Sequence, residues 1–209
     1  GMKLLLSVGI GFVSGALILT FSRTAFITLF FIFITFLSLI GKRRWIVIIV
    51  GIMLVSGIVL SQRFYIENLN IFRTFSSNAR LESMKQAAQI FISQPVLGIG
   101  FNAYRYAQLR YGFRTQADID ASHADSGTDN SFLFILATTG ILGFITYVAL
   151  FVVLLRDVYI AFRKKRQMYA AVVFSSVVGL CIASIFTNAL FFPPLMLWMW
   201  VLLGTMDYK

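Results

Sequence analysis

The chain has 209 residues, of which 59% are hydrophobic and 12% charged, and its mean hydropathy is +0.85. Soluble domains carry about 25% charged residues, so this composition excludes an ordinary soluble domain and indicates an integral membrane protein. The net charge of +10 does not mark a nucleic-acid binder, because the basic residues gather at the ends of apolar runs, as they do in membrane proteins. The lone cysteine, Cys181, lies in an apolar run and leaves no disulfide framework.

In chain order the apolar runs predict six spans: Leu4–Phe21, Thr24–Ile40, Trp45–Leu60, Ser131–Leu155, Met168–Phe186 and Ala189–Gly204. A span needs about 20 residues, so the third and sixth must borrow flanking residues. The expected organisation is three transmembrane helices in residues 1–60, an external segment in 61–129 and three more helices in 130–209. The basic clusters Gly41-Lys42-Arg43-Arg44 and Arg163-Lys164-Lys165-Arg166 are read as cytoplasmic topology signals. Both termini are then cytoplasmic and Ser61–Asp129 is external. The first run has a second reading, as a signal peptide with Ser14-Gly15-Ala16 as its cleavage site. Its continuation to Phe21, with Ser7, Gly11 and Gly15 at four-residue spacing, favours a retained helix with a small-residue packing face. Gly1 ahead of Met2 is read as an added residue on a chain cut from something longer.

The external segment is too long for a simple connection, and such loops are functional or disordered. Its charges nearly cancel, with seven basic against six acidic residues. Leu81, Met84, Ala88 and Phe91 fall on one helical face, opposite Glu82, Lys85, Gln86 and Gln89. Asn78 is the expected N-cap of this amphipathic helix and Pro95 its stop. Gly98 and Gly100 make a turn, and Asn102 is expected to cap a second short helix carrying Tyr104, Arg105, Tyr106, Arg110 and Tyr111. Both helices are expected to lie at the interface, apolar faces towards the bilayer or the bundle. Thr115–Thr128 reads as a mobile lid or linker.

The candidate chemistry is concentrated at the ends of this segment. Arg23 follows Ser22 at the outer end of a span. It is either a residue snorkelling to the interface or a clamp for phosphate, which a guanidinium fork matches bidentately. Arg80, near the expected helix start, opposes the helix dipole, and an anion held between it and the free N–H groups would resolve the conflict. Arg105, Arg110 and Arg114 interleave with Tyr104, Tyr106, Tyr111 and Phe113, which reads as a sugar- and phosphate-contacting surface or as an interfacial aromatic belt. His123, the single histidine, makes no metal site by itself, and no metal or other cofactor is expected. Asp118-Ile119-Asp120 has the form of a nucleotide-sugar motif but lies on the wrong side of the membrane for one. Phe191-Phe192-Pro193-Pro194, with Trp198 and Trp200, marks a kinked, interface-anchored start to the last helix. Asp129-Asn130, where the polar segment turns into a span, places a carboxylate and an amide at the membrane surface. Ten residues after Asn130, Gly140-x-x-Gly143 is expected to let another helix approach closely.

Taken together, Ser22-Arg23, Asn78-Ala79-Arg80-Leu81-Glu82, Gln94-Pro95-Val96-Leu97-Gly98-Ile99-Gly100-Phe101 and Asp129-Asn130 with Gly140-x-x-Gly143 resemble the O-antigen ligase and polymerase family. The resemblance covers about Leu17–Leu155 and is closest to a C-terminal half, since members generally have about twice as many spans. It implies a glycan transferase at the outer face of the bacterial cytoplasmic membrane. The donor would be an undecaprenyl-diphosphate-linked glycan and the acceptor a second glycan, with neither nucleotide nor metal. Arg23 and Arg80 would hold the diphosphate. Asp129 stands where the family usually has histidine, which points to the polymerase side. An aspartate is a weaker base than histidine at neutral pH, so its role would be to accept and orient the acceptor hydroxyl, with His123 as the alternative base. The substrate-binding set is then Arg23, Arg80, Arg105, Arg110, Tyr104 and Asn130.

Two other readings compete. A ligase would attach finished glycan to lipid A core, teichoic acid or protein. A non-enzymatic transport or assembly subunit would work beside other polysaccharide-assembly proteins or a separate N-terminal half. Transporters carry ionisable or helix-breaking residues mid-span, whereas here the polar chemistry sits in one external segment, which favours an enzyme.

Overall fold

The computed structural model describes residues 22–51, 71–121, 127–165 and 168–206, with isolated helical positions at Val8, Phe12 and Ala16. Among the described residues the fold is all helical. The helices are α1 (Arg23–Leu39), α2 (Ile71–Ser93), α3 (Tyr104–Arg110), α4 (Gln116–Ala121), α5 (Ser131–Lys165), α6 (Met168–Phe186) and α7 (Pro193–Gly204). Residues 43–51 are also helical, and a 3-10 turn at Ala189–Phe191 leads into α7. Of the six expected spans, α5 and α6 are long and apolar enough to cross a membrane. The 17 residues of α1 and the 12 of α7 form shorter apolar helices. Most of the Leu4–Phe21 run and most of Trp45–Leu60 lie outside the described residues.

The α1, α5, α6 and α7 helices pack as a bundle. The α1 and α6 helices run antiparallel and cross at Gly179, where a Cβ would collide with Ile32. The core of the bundle includes Phe151, Val158, Val173, Val177, Leu190, Met199 and Leu203. At one end of the bundle Gly41 and Lys42 share a hollow with Phe162, Arg163 and Met168. Both basic clusters thus begin at the same end. The start of α1, the start of α5 and the end of α6 lie at the opposite end.

The α5 helix contains a break. Gly140 has φ 65° and ψ −168°, outside the helical region. A break in an apolar helix strands backbone groups that only buried protein or water can satisfy. Here the loop after α2 fills it. Ile99 and Gly100 donate their N–H groups to the carbonyls of Ala137 and Thr138, at 3.1 and 2.8 Å. Ile141 and Leu142 donate to the carbonyls of Pro95 and Val96, at 2.8 and 3.4 Å. Gly140 therefore receives a loop backbone, where the sequence predicts a helix, while Gly143 faces Thr139 of its own helix. Before the break α5 is largely buried against protein. After it, side chains such as Leu142, Ile145 and Val152 are exposed.

The α2 helix runs beside the first part of α5. Ser83 meets Asp129 near the start and Pro95 meets Ile141 at the break. The apolar side of α2 and α3, with Ala87, Ile90, Tyr104 and Ala107, packs on Phe134 and Ala137. The bundle covers this side, which is centred on Ala87 and Ile90, whereas Leu81, expected on the apolar face, is exposed. Phe191 then ties the hairpin to the α6–α7 turn, its ring centroid 5.6 Å from that of Phe101 and 5.1 Å from that of Phe134.

Two expected caps fall elsewhere. The α2 helix begins at Ile71, so Asn78 is an interior residue. Asparagine favours a cap but does not force one when the flanking residues also take helical geometry. Ala103 precedes α3 without a side-chain cap, so Asn102 does not start it.

Candidate functional site

A cleft of about 560 Å³ opens where α2, α3, residues 127–130 and the α6–α7 turn converge. The α2 helix contributes Ala79, Glu82, Ser83 and Gln86, spaced so that they share one face. Gln108 comes from α3, Phe113 and Arg114 from the turn after it, and Asn188 from the α6–α7 turn. Gly127, Thr128 and Asp129 close the cleft above Phe134.

Asp129 is the carboxylate that leads into α5. Its N–H reaches Ser83 Oγ at 3.5 Å. Its side chain makes no hydrogen bond or ion pair among the described residues. Helix capping falls to Asn130, whose Oδ1 accepts from the N–H of Leu133 at 3.0 Å. Asn130 Nδ2 donates to the Ile185 carbonyl at 2.9 Å, which joins the start of α5 to the end of α6. Ser131, fully buried, donates through Oγ to Asn188 Oδ1 at 3.2 Å and accepts from the N–H of Leu190 at 3.2 Å. The Asp129 carboxylate therefore sits on a backbone locked from three sides.

The other sequence candidates divide. Arg80 is exposed, one residue along α2 from Ala79 of the cleft. It lies well inside a helix that starts at Ile71, so the anion site at a helix start that the sequence suggested for it does not form. Arg23 follows Ser22, whose Oγ caps α1 by accepting from Ala25 N–H at 3.3 Å. It stands at the same end of the bundle as Asp129, and its side chain is outside the described set. Tyr104 belongs to the core, 2% exposed, with its ring centroid 5.4 Å from that of Phe134. Burial raises the Tyr104 hydroxyl above the usual tyrosine range. Arg105 and Arg110 are on α3 but do not line the cleft, and Arg110 occupies the last helical turn, where a cation is favoured. Asn130 is occupied as described above. His123 lies outside the described residues.

Asp118 takes up Thr115 N–H at 2.8 Å and Thr115 Oγ1 at 2.6 Å, and Asp120 accepts from Gln116 Nε2 at 3.0 Å. The Thr115 contacts hold the Asp118 carboxyl below its ordinary range. Asp118 and Asp120 are thus used locally around α4. Glu82, Gln86, Gln108, Thr128 and Asn188 enter the cleft without having been singled out as site residues by the sequence. Arg114 was visible only as one of three interleaved arginines.

The comparison with family models decides the relationship. The model described as O-Antigen ligase matches residues 8–148, about two thirds of the chain. The chain belongs to the O-antigen ligase family. This family is membrane-embedded in bacteria, acts in glycan transfer and implies a lipid-linked glycan as substrate. The matched stretch contains Arg23, Arg80, Arg114, Asp129 and the Gly140 break, whereas Asn188 reaches the cleft from beyond it. No curated protein and no solved structure matches the chain.

Proposed function

We propose that the protein is a glycan polymerase that joins polyprenyl-diphosphate-linked repeat units at the external face of the bacterial cytoplasmic membrane. The observation that carries this reading is the Asp129 carboxylate. It lines an open cleft beside Arg114 and next to the Arg80 helix, while its neighbour Asn130 performs the capping. A carboxylate not consumed by the fold is available to a substrate hydroxyl.

In this reading an acceptor hydroxyl, hydrogen-bonded to Asp129, attacks the anomeric carbon of the donor glycan. A new C–O bond forms as the bond from that carbon to the diphosphate oxygen breaks. The electron pair leaves with the polyprenyl diphosphate and the hydroxyl proton passes to Asp129. Arg80 and Arg23 neutralise the charge that gathers on the diphosphate, which is stabilisation of developing charge by preplaced cations. No nucleotide or metal is assigned a part. Aspartate in place of the family's usual histidine supports polymerase over ligase.

Membranes carrying the protein, given lipid-linked repeat units, should yield a ladder of lengthened lipid-linked glycans. Transfer of finished glycan to a lipid A core, teichoic acid or protein acceptor, with no ladder, would overturn the polymerase reading in favour of the ligase one.

A further inference from the structure

We propose that the cleft beside Asp129 is a subsite for an uncharged sugar ring of the acceptor glycan, gripped by Gln86, Gln108, Asn188 and Thr128. This rests on the reading of Asp129 as the group that orients the acceptor hydroxyl.

The cleft's volume of about 560 Å³ falls within the range of small-molecule sites, about 300–1,000 Å³. Its polar lining has the chemistry of sugar recognition. A sugar hydroxyl both donates and accepts, and so do a carboxamide side chain and a threonine hydroxyl. Three carboxamides and two hydroxyls, of Ser83 and Thr128, converge here from four separate segments: α2, α3, the 127–130 strip and the α6–α7 turn. Phe113 and Phe134 add aromatic surface, which suits the apolar face of a pyranose.

Two further observations point to a ligand. Thr128 is 4% exposed, and its Oγ1 has no hydrogen-bond partner among the described residues. A buried hydroxyl is costly to leave unpaired, and a sugar hydroxyl in the cleft would pair it. Asn188 is fixed at its Oδ1 by Ser131, and its Nδ2 lies 3.4 Å from where a Cβ on Gly127 would stand. Glycine at 127 thus keeps the space in front of the amide open. The charges select against an acidic ring, since among the described residues lining the cleft Glu82 and Asp129 are set against Arg114. A uronic acid would place a third carboxylate among them.

The test uses the full chain in nanodiscs and saturation-transfer NMR with methyl glycosides of a neutral hexose, an N-acetylhexosamine and a hexuronic acid. The neutral glycosides should bind saturably and the hexuronide at least about tenfold more weakly. Gln86→Leu and Thr128→Val should each weaken neutral-glycoside binding about tenfold, while the Tm of Thr128→Val is unchanged or higher because an unpaired hydroxyl has been removed. Asp129→Asn should still bind. Equal or tighter hexuronide binding, unchanged affinity in both variants, or no saturable binding at all would overturn the subsite. Retained polymerisation by Asp129→Asn, with binding as expected, would instead overturn the catalytic reading and leave the subsite standing.

Discussion

Gly98 and Gly140 meet backbone to backbone, each with positive φ, at 67° and 65°. A Cβ on Gly98 would fall 2.5 Å from the Gly140 nitrogen, and one on Gly140 would collide with the Val96 carbonyl. This contact keys the α2–α3 hairpin into the break of α5, about 16 Å along the helix from Asp129 at 1.5 Å per residue. The hairpin that carries Arg80, Gln86, Gln108 and Arg114 is therefore held in register with the helix that carries Asp129. Gly140→Ala should cost roughly 1–3 kcal/mol in backbone strain, since φ 65° with ψ −168° is a region that glycine alone favours, and a further ~1–3 kcal/mol in overpacking. Gly98→Ala should behave alike, and both should lose most polymer. Tm and glycan ladders measured on the two variants check this, and wild-type values for both would show that the contact is dispensable.

Much of the helical layout is legible in the sequence because apolar run length and flanking charges determine it locally. The α6 helix, Met168–Phe186, coincides with the expected fifth span, and α1 differs from the second by a residue at each end. The break in α5 is not legible, because Thr139-Gly140 sits in an uninterrupted apolar run and the groups that fill the break come from Pro95–Gly100, remote in sequence. The cleft is legible only through Asp129, Phe113 and Arg114. Gln86 and Gln108 read as ordinary polar faces of amphipathic helices. Asn188 reads as a turn between apolar runs, and only the tertiary fold brings the three amides together.

Tyr104 tests whether the aromatic-arginine stretch acts by contact with sugar or by packing. Its hydroxyl is buried with no hydrogen-bond partner among the described residues, so Tyr104→Phe should keep activity and hold or raise Tm. Tyr104→Ala opens a cavity and should cost about 3–5 kcal/mol. Burial raises the folded pKa, so the neutral hydroxyl is favoured in the fold. Its contribution is complete below the unfolded value of about 10 and is lost as pH rises through the higher folded value. Tm measured from pH 8 to pH 11 should fall less steeply for Tyr104→Phe than for the parent. Loss of polymer in Tyr104→Phe would show that the hydroxyl touches substrate.

The two ends of the bundle differ in charge, with both basic clusters beginning at the end remote from Asp129. By the positive-inside rule Asp129 and the cleft are expected outside. With Cys181 replaced by serine, a cysteine at Gln89 should react with an impermeant maleimide in intact cells. One at Lys164 should react only after permeabilisation. The reverse pattern would exclude an external acceptor site.

Arg80 is exposed within α2 and makes no side-chain bond among the described residues, so its removal should barely affect folding. Arg80→Ala should change stability by no more than about 0.5 kcal/mol and abolish polymer. Arg80→Lys should restore less than about a tenth of the activity, because a point charge cannot grip a diphosphate bidentately. Near-normal polymer from the lysine variant would mean that charge alone suffices at this position.

Adjacent residues at the start of α5 separate chemistry from architecture. Asn130 caps the helix and bonds the end of α6, so Asn130→Ala should lose about 1 kcal/mol from the cap and about 0.5–1.5 kcal/mol from the Ile185 hydrogen bond. Activity should fall with it, through displacement of Asp129. Asp129→Asn has almost the same shape, leaves the Asn130 cap intact and should leave Tm unchanged. If the carboxylate takes the acceptor proton, polymer should drop by about 10²–10⁴-fold, the usual range for a general base. Asp129→His should recover part of that loss, since imidazole is a competent base near neutral pH. Glycan ladders and Tm measured on Asp129→Asn and Asn130→Ala decide between the roles. Full-length polymer from Asp129→Asn at normal yield would remove Asp129 from the chemistry and make His123 the next residue to replace.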